Sequence, residues 1–127
     1  MKKVIYSEKA PEPIGPYSQA IMVGNTLYIS GQIPINRLNG GTIVSGSIEA
    51  ETEQVMKNLS YILEAAGMSF QNVVKSSIFI KNMNDFARIN QVYGQYFKEN
   101  APARETVEVA RLPKDVNVEI SCIAVKD

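Results

Sequence analysis

Histidine is absent from this sequence of 127 residues. Without an imidazole, Ser-His-Asp triads, histidine metal ligands and the usual proton shuttle near neutral pH are excluded. Cysteine is nearly absent as well: Cys122 stands alone, so no internal disulfide can form. That suits a reducing cytoplasm, the expected location. One cysteine and no histidine leave too few soft ligands for zinc, and no metal is expected. Net charge is missing too. The 13 basic side chains balance 13 acidic ones, so no long-range field steers the chain toward nucleic acid or an anionic membrane. No long apolar run follows Lys2 and Lys3, and the N-terminal stretch reads as neither signal peptide nor membrane anchor.

What remains is ordinary for a globular chain, with 45% hydrophobic and 20% charged residues. Residues 1–127 suffice for one domain with one sizeable core. Hydrophobic period and turn residues order the elements. Residues 3–7 suggest a short strand. Residues 10–16 hold three prolines and a glycine and read as a rigid connector. Residues 17–23 and 26–30 read as a hairpin around Gly24-Asn25, followed by an Asn- and Gly-rich loop at 36–46. The period then becomes helical over 48–66, with Ser47 as N-cap and Gly67 as stop. A strand at 73–80 precedes a second helix, capped by Asn82 or Asn84 and reaching about residue 98. Phe86, Ile89, Tyr93, Tyr96 and Phe97 form its apolar stripe. Two one-faced helices and several strands predict an α+β fold: two layers, with both helices on one face of a mixed sheet. The other face carries apolar or small residues, Val73, Ser77, Phe79, Val107 and Val109, which favours an oligomer.

The stretch from Pro102 to Ala124 offers the most chemistry. Alternation marks strands at 104–111 and 116–125, joined by a turn at 112–115. Arg104 and Glu119 then fall on polar faces of strands expected to be neighbours. Arg104 reads either as a bidentate carboxylate clamp or as a surface ion pair with Glu105 or Glu108. Glu119, between Val118 and Ile120, reads as the holder of a water or as a solvent-facing glutamate. Tyr17 is a pocket wall or a packed aromatic. Ser30-Gly31 marks either a close backbone approach or a plain turn. Asn90 reads as an exposed mid-helix residue, and Cys122 as a buried, inert thiol. Ser18, Ser30 and Thr106 have no histidine to activate them as nucleophiles.

Several stretches in series resemble the YjgF/Rid family of reactive-intermediate deaminases. They are the run from Ile14 through Tyr17 to Ala20, Ser30-Gly31-Gln32-Ile33-Pro34, Glu64-Ala65-Ala66-Gly67, Asn84-Asp85-Phe86, and the run from Pro102-Ala103-Arg104 to Glu119-Ile120. The resemblance implies a chorismate-mutase-like fold of the YjgF type and a homotrimer with a ligand site in each cleft between subunits. It implies hydrolysis of 2-imino acids such as 2-iminobutanoate and 2-iminopropanoate to 2-oxo acids and ammonia, without cofactor or metal, downstream of pyridoxal-phosphate dehydratases. By position it assigns Arg104 to the substrate carboxylate and Glu119 to the attacking water. Tyr17, Ser30, Gly31 and Asn90 line the pocket in the same reading. Relatives have also been described as translation inhibitors or endoribonucleases, and a ligand-binding or chaperone-like trimer is a third reading. Balanced charge and missing histidine argue against action on RNA. Thr106 stands where such proteins often carry cysteine, a change to the pocket's shape. The segment at 98–102 is shorter than usual and lacks the aromatic often found before Pro-Ala-Arg.

Overall fold

The computed structural model describes residues 1–127. Its strands in chain order are β1 (Lys2–Ile5), β2 (Ala20–Val23), β3 (Thr26–Gln32), β4 (Ile35–Asn36), β5 (Thr42–Ile43), β6 (Val73–Ile80), β7 (Ala103–Glu108) and β8 (Val118–Val125). The helices are α1 (Ile48–Ala65) and α2 (Phe86–Gly94). The N-terminus of α1 forms as its sequence predicts: the Ser47 hydroxyl accepts the Ala50 N–H at 3.0 Å. Glu49 and Glu51 occupy its first turn, where carboxylates favour the helix dipole. Gly67 ends it in the left-handed region, φ 71°. The second helix is shorter than expected. Beyond Gly94 the chain turns, and Tyr96 and Phe97 pack on Phe70 at ring separations of 5.0 and 5.4 Å. Those aromatics belong to the predicted apolar stripe, yet tertiary packing takes them out of the helix.

The main sheet has the order β1-β2-β3-β8-β6-β7, and β4 with β5 makes a separate two-stranded ribbon inside the predicted loop. All neighbours in the main sheet are antiparallel except β6 and β7, which run parallel. The expected pairing of residues 104–111 with 116–125 is therefore overturned. β6 lies between those strands, and β7 is an edge. A parallel pair needs a crossover, which α2 supplies between β6 and β7. From β7 the chain passes over the end of β6: Val109 N–H donates to Ile80 O, and Lys81 N–H donates to Asn117 O.

Both helices cover one face of this sheet. Leu27, Leu59, Ile62, Ile78, Ile89, Val118 and Ile120 meet in one continuous core there, each almost wholly buried. Burying a side chain such as Ile120 contributes about 1.5–3 kcal/mol. The opposite face is left partly apolar, with Tyr28 and Val107 exposed. Val73 does not belong to that face. An irregularity between Val73 and Lys75 turns it into the core, where it is 5% exposed. Ile33, Ile35, Leu112 and Val116 form a smaller cluster against Phe79 and Val109. No helix is long and apolar enough to cross a membrane.

Candidate active site

An open cleft of about 340 Å³ is lined by Ile14, Tyr17, Ser30, Gly31, Ile33, Pro113 and Glu119. Three segments make its walls. The first is the Pro-rich connector that carries Ile14 and Tyr17. The buried Gln19 side chain holds it by donating to the carbonyls of Ser7, Ala10 and Pro11 and accepting the Ser7 N–H. Arg37 adds bonds to Ala10 O and Tyr6 Oη and an ion pair with Glu12. Tyr17 turns on itself: its hydroxyl accepts the Ile14 N–H at 3.3 Å, and its ring lies over Gly15. Residues 17–19 are thus irregular, and β2 starts only at Ala20, later than the alternation suggests.

The second wall is a bulge. The pairing of β3 with β8 jumps from Ile29 opposite Cys122 to Gln32 opposite Ile120, leaving Ser30 and Gly31 out of register. Ser30 is tied inward, its hydroxyl donating to Ser18 O at 2.6 Å. Gly31 is packed against the Glu119 carboxylate: a Cβ there would come within 2.7 Å of Glu119 Cδ. Only glycine leaves that carboxylate its place. Glu119 itself, on the third wall, has no hydrogen-bond or ion-pair partner within the chain, and burial pushes its carboxyl above the ordinary range. A partly desolvated carboxylate of raised basicity is suited to accept a proton from water.

The other predicted residues gather elsewhere. Arg104 lies on β7 beside Ser76 of β6, in the row that continues to Cys122, and so faces the helices. Its Nη1 donates to Asn90 Oδ1 of α2 at 2.7 Å. Its guanidinium carbon lies 5.1 Å from the Tyr93 ring centroid and 5.6 Å from that of Phe86. Thr106 shares the Arg104 face, and its buried hydroxyl oxygen has no partner. Below them, Tyr93 Oη donates to Ser76 Oγ at 2.9 Å, and Ser76 Oγ lies 3.4 Å from Cys122 Sγ. Burial pushes the Cys122 thiol up to about 11, which makes it unreactive.

Glu119 sits in the row of Phe79 and Val107, on the face away from the helices. Arg104 and Glu119 therefore occupy opposite faces of one sheet, with β6 between their strands. They do not form a pair within one chain. Sequence reasoning passed over Ile14, Ile33 and Pro113 in the cleft, and Phe86 and Tyr93 as the aromatic bed of Arg104. The helical spacing of Phe86, Asn90 and Tyr93 carried that last signal, since i, i+4 and i+7 share a helix face. No cluster of three or more His, Cys, Asp or Glu side chains is poised to hold a metal ion.

Solved structures with this architecture define its class. RidA of an Antarctic Psychrobacter superposes with a TM-score of 0.93 at 42% identity, covering 98% of this chain and 99% of that one. E. coli TdcF with bound serine gives 0.93 at 41% identity over 98% and 99% of the two chains. The fold is that of the YjgF/L-PSP proteins. Residues 7–126 match the family model described as Endoribonuclease L-PSP, and the chain belongs to that family, the YjgF/Rid proteins. Among its relatives, a RutC family protein of Pyrococcus horikoshii is 57% identical over 127 residues, all of both chains. The human protein named 2-iminobutanoate/2-iminopropanoate deaminase is 47% identical over 126 residues, 99% of this chain and 91% of that one.

Proposed function

We propose that this protein hydrolyses 2-imino acids, 2-iminobutanoate and 2-iminopropanoate among them, to 2-oxo acids and ammonia, in sites shared between subunits of a homotrimer. The observation that carries the reading is the separation of the two key side chains. An arginine braced by aromatic rings lies on an edge strand, and a partnerless, partly desolvated glutamate lies in a cleft on the opposite face. Two halves of one site on opposite faces favour completion by a second copy. The deaminase name of the human relative supports the chemistry.

In this mechanism Arg104 of one subunit grips the substrate carboxylate, held in orientation by Asn90 and the rings of Phe86 and Tyr93. The imine carbon then lies in the cleft of the neighbouring subunit, between Tyr17, Ser30, Gly31 and Glu119. A protonated imine is already electrophilic, so fixing it beside one aimed water supplies much of the rate. Glu119 takes a proton as the water oxygen bonds to C2 and the C=N π electrons move to nitrogen. The resulting tetrahedral carbinolamine has its nitrogen protonated, with Glu119 as the local proton carrier. The C–N bond then breaks as Glu119, ionised again, takes the hydroxyl proton; C2 becomes a carbonyl, and ammonia leaves. No cofactor enters this scheme. Because such imines arise from pyridoxal-phosphate dehydratases acting on threonine and serine, the protein would work downstream of them. The family description names an endoribonuclease; a chain with balanced charge and no histidine is poorly suited to that chemistry.

The test is release of 2-oxobutanoate from 2-iminobutanoate generated in place by a threonine dehydratase. Arg104→Ala and Glu119→Gln should each be inactive. Unfolding and refolding equal amounts of the two together should restore about a quarter of wild-type activity, because random assembly unites the two intact halves in that share of sites. Activity in the wild type without any recovery on mixing would retain the deaminase and reject the shared site. An inactive wild type would reject both.

A further inference from the structure

Four polar residues of α1 are buried, Thr52 among them; the other three, Glu51, Gln54 and Asn58, form a row at spacings of three and four, amid Val55, Leu59 and Ile62. Buried polar groups in such a row cost stability unless satisfied. All three are satisfied, and two of them by segments that wall the cleft. Asn58 Nδ2 donates to Ile33 O at 3.1 Å and Ile35 O at 3.0 Å. Glu51 accepts the Asn117 N–H at 3.1 Å on one oxygen and Asn117 Nδ2 at 2.7 Å on the other. Gln54 braces one end of the row, donating to Asn58 Oδ1 at 3.0 Å. Ile33 follows Gly31 by two residues, and Asn117 precedes Glu119 by two.

Resting on the deaminase reading of the cleft, we propose that this polar row on α1 is a positioning element that fixes the carboxylate of Glu119 against Gly31. The sheet fixes that spacing through one pair only, Gln32 opposite Ile120. Its ladder breaks at the bulge between Ile29 and Gln32, where Gly31 faces Glu119. Beyond that pair α1 takes over: one helix holds the exit of β3 through Asn58 and the entry of β8 through Glu51. Asn117 is held from its other side as well, its carbonyl accepting the Lys81 N–H at 3.0 Å. Glu51, Gln54 and Asn58 therefore touch no substrate and act through Gly31 and Glu119.

Thr52 supplies the control. It is as buried as Asn58, but its hydroxyl donates at 2.7 Å to Ile48 O of its own helix and reaches neither wall. The experiment compares Glu51→Gln, Asn58→Ala and Thr52→Ala with the wild type. It follows the thermal midpoint, kcat and KM, and the titration of the Glu119 carboxyl by 13C NMR, assigned with Glu119→Gln. Tyr17 is the other titratable side chain lining the cleft and is followed in the same spectra. Loosening the walls should admit water, so the Glu119 midpoint should fall toward the ordinary carboxylate range in Glu51→Gln and Asn58→Ala but not in Thr52→Ala. In the same two variants kcat should fall about tenfold with KM little changed. The double variant Glu51→Gln with Asn117→Asp keeps the bond from the backbone N–H and exchanges donor and acceptor in the side-chain bond, and should bring the midpoint and kcat back toward wild type. If the three single variants lose stability and leave the Glu119 titration alike, the positioning role is refuted. An inactive wild type removes the deaminase reading, and the titration then decides the role of α1 by itself.

Discussion

On one face of the sheet Arg104 is held by Asn90 and two aromatic rings; on the other, Glu119 stands without a partner beside a glycine. The difference matches the work that the proposed mechanism asks of each group. A clamp gains from losing its freedom before the ligand arrives, because the ordering entropy is then spent in folding. A proton acceptor gains from staying unsatisfied, since any built-in donor would hold its carboxylate ionised and lower its basicity. The supports differ accordingly. Arg104 is oriented by side chains that touch it, whereas Glu119 is placed by backbone segments and a gap where a Cβ would sit.

The sharpest way to break the comparison is to remove one charged group from each half. Arg104→Ala should lower kcat/KM by about 10²–10³-fold through loss of a charge-assisted, two-point contact, and Arg104→Lys should recover little of it. Glu119→Gln should cost about 10²–10⁴-fold in kcat with KM nearly unchanged, the opposite division between the two constants. Glu119→Gln should also stabilise the fold. Burial raises the carboxyl above its unfolded-state value, so the native state binds the proton more readily. The stability this gives is present below the unfolded-state pKa and lost as pH rises through the raised one. Calorimetry should therefore find the variant about 1–3 °C more stable than wild type at neutral pH, with the gap closing under acid.

Gly31→Ala sharpens the contrast from the cleft side alone. Its Cβ displaces the carboxylate, and kcat should fall about 10–100-fold while KM is kept. Asn90→Ala does the same for the clamp. Arg104 keeps its aromatic bed, loses its side-chain acceptor, and KM should rise about tenfold. The smallest effect belongs to Cys122. With its thiol pushed up to about 11, it should resist alkylation in the native protein and react at an ordinary rate once unfolded, as timed mass spectrometry would show.

Much of this was legible in the residues. The alternation of Val118, Ile120, Cys122 and Ala124 placed them in the core, where they lie, and the cap at Ser47 marked the start of α1. The partner of β7 was not legible. A turn-rich link of nine residues between Glu108 and Val118 suits a hairpin as well as a step over β6, and only the crossover through α2 decides between them. For the site, residue type and order pointed to Arg104 and Glu119. That they face opposite ways depends on the strand order of the sheet, which local pattern does not encode. Nor does local pattern foretell a bulge: Ser30-Gly31 reads as a close backbone approach or a plain turn, and only β8 laid beside it decides.

The strand order has a consequence for how the chain is made. β8 follows every other strand in sequence, yet it occupies the sheet between β3 and β6. As the polypeptide leaves the ribosome, β1, β2 and β3 emerge with one side of their ribbon unpaired, and β6 and β7 emerge as a second group that cannot join the first. The two meet only when the final strand is released between them, so the sheet should close late and in one step. A chain that stops short of Val118 loses the middle of its sheet, and the glutamate of its cleft goes with it.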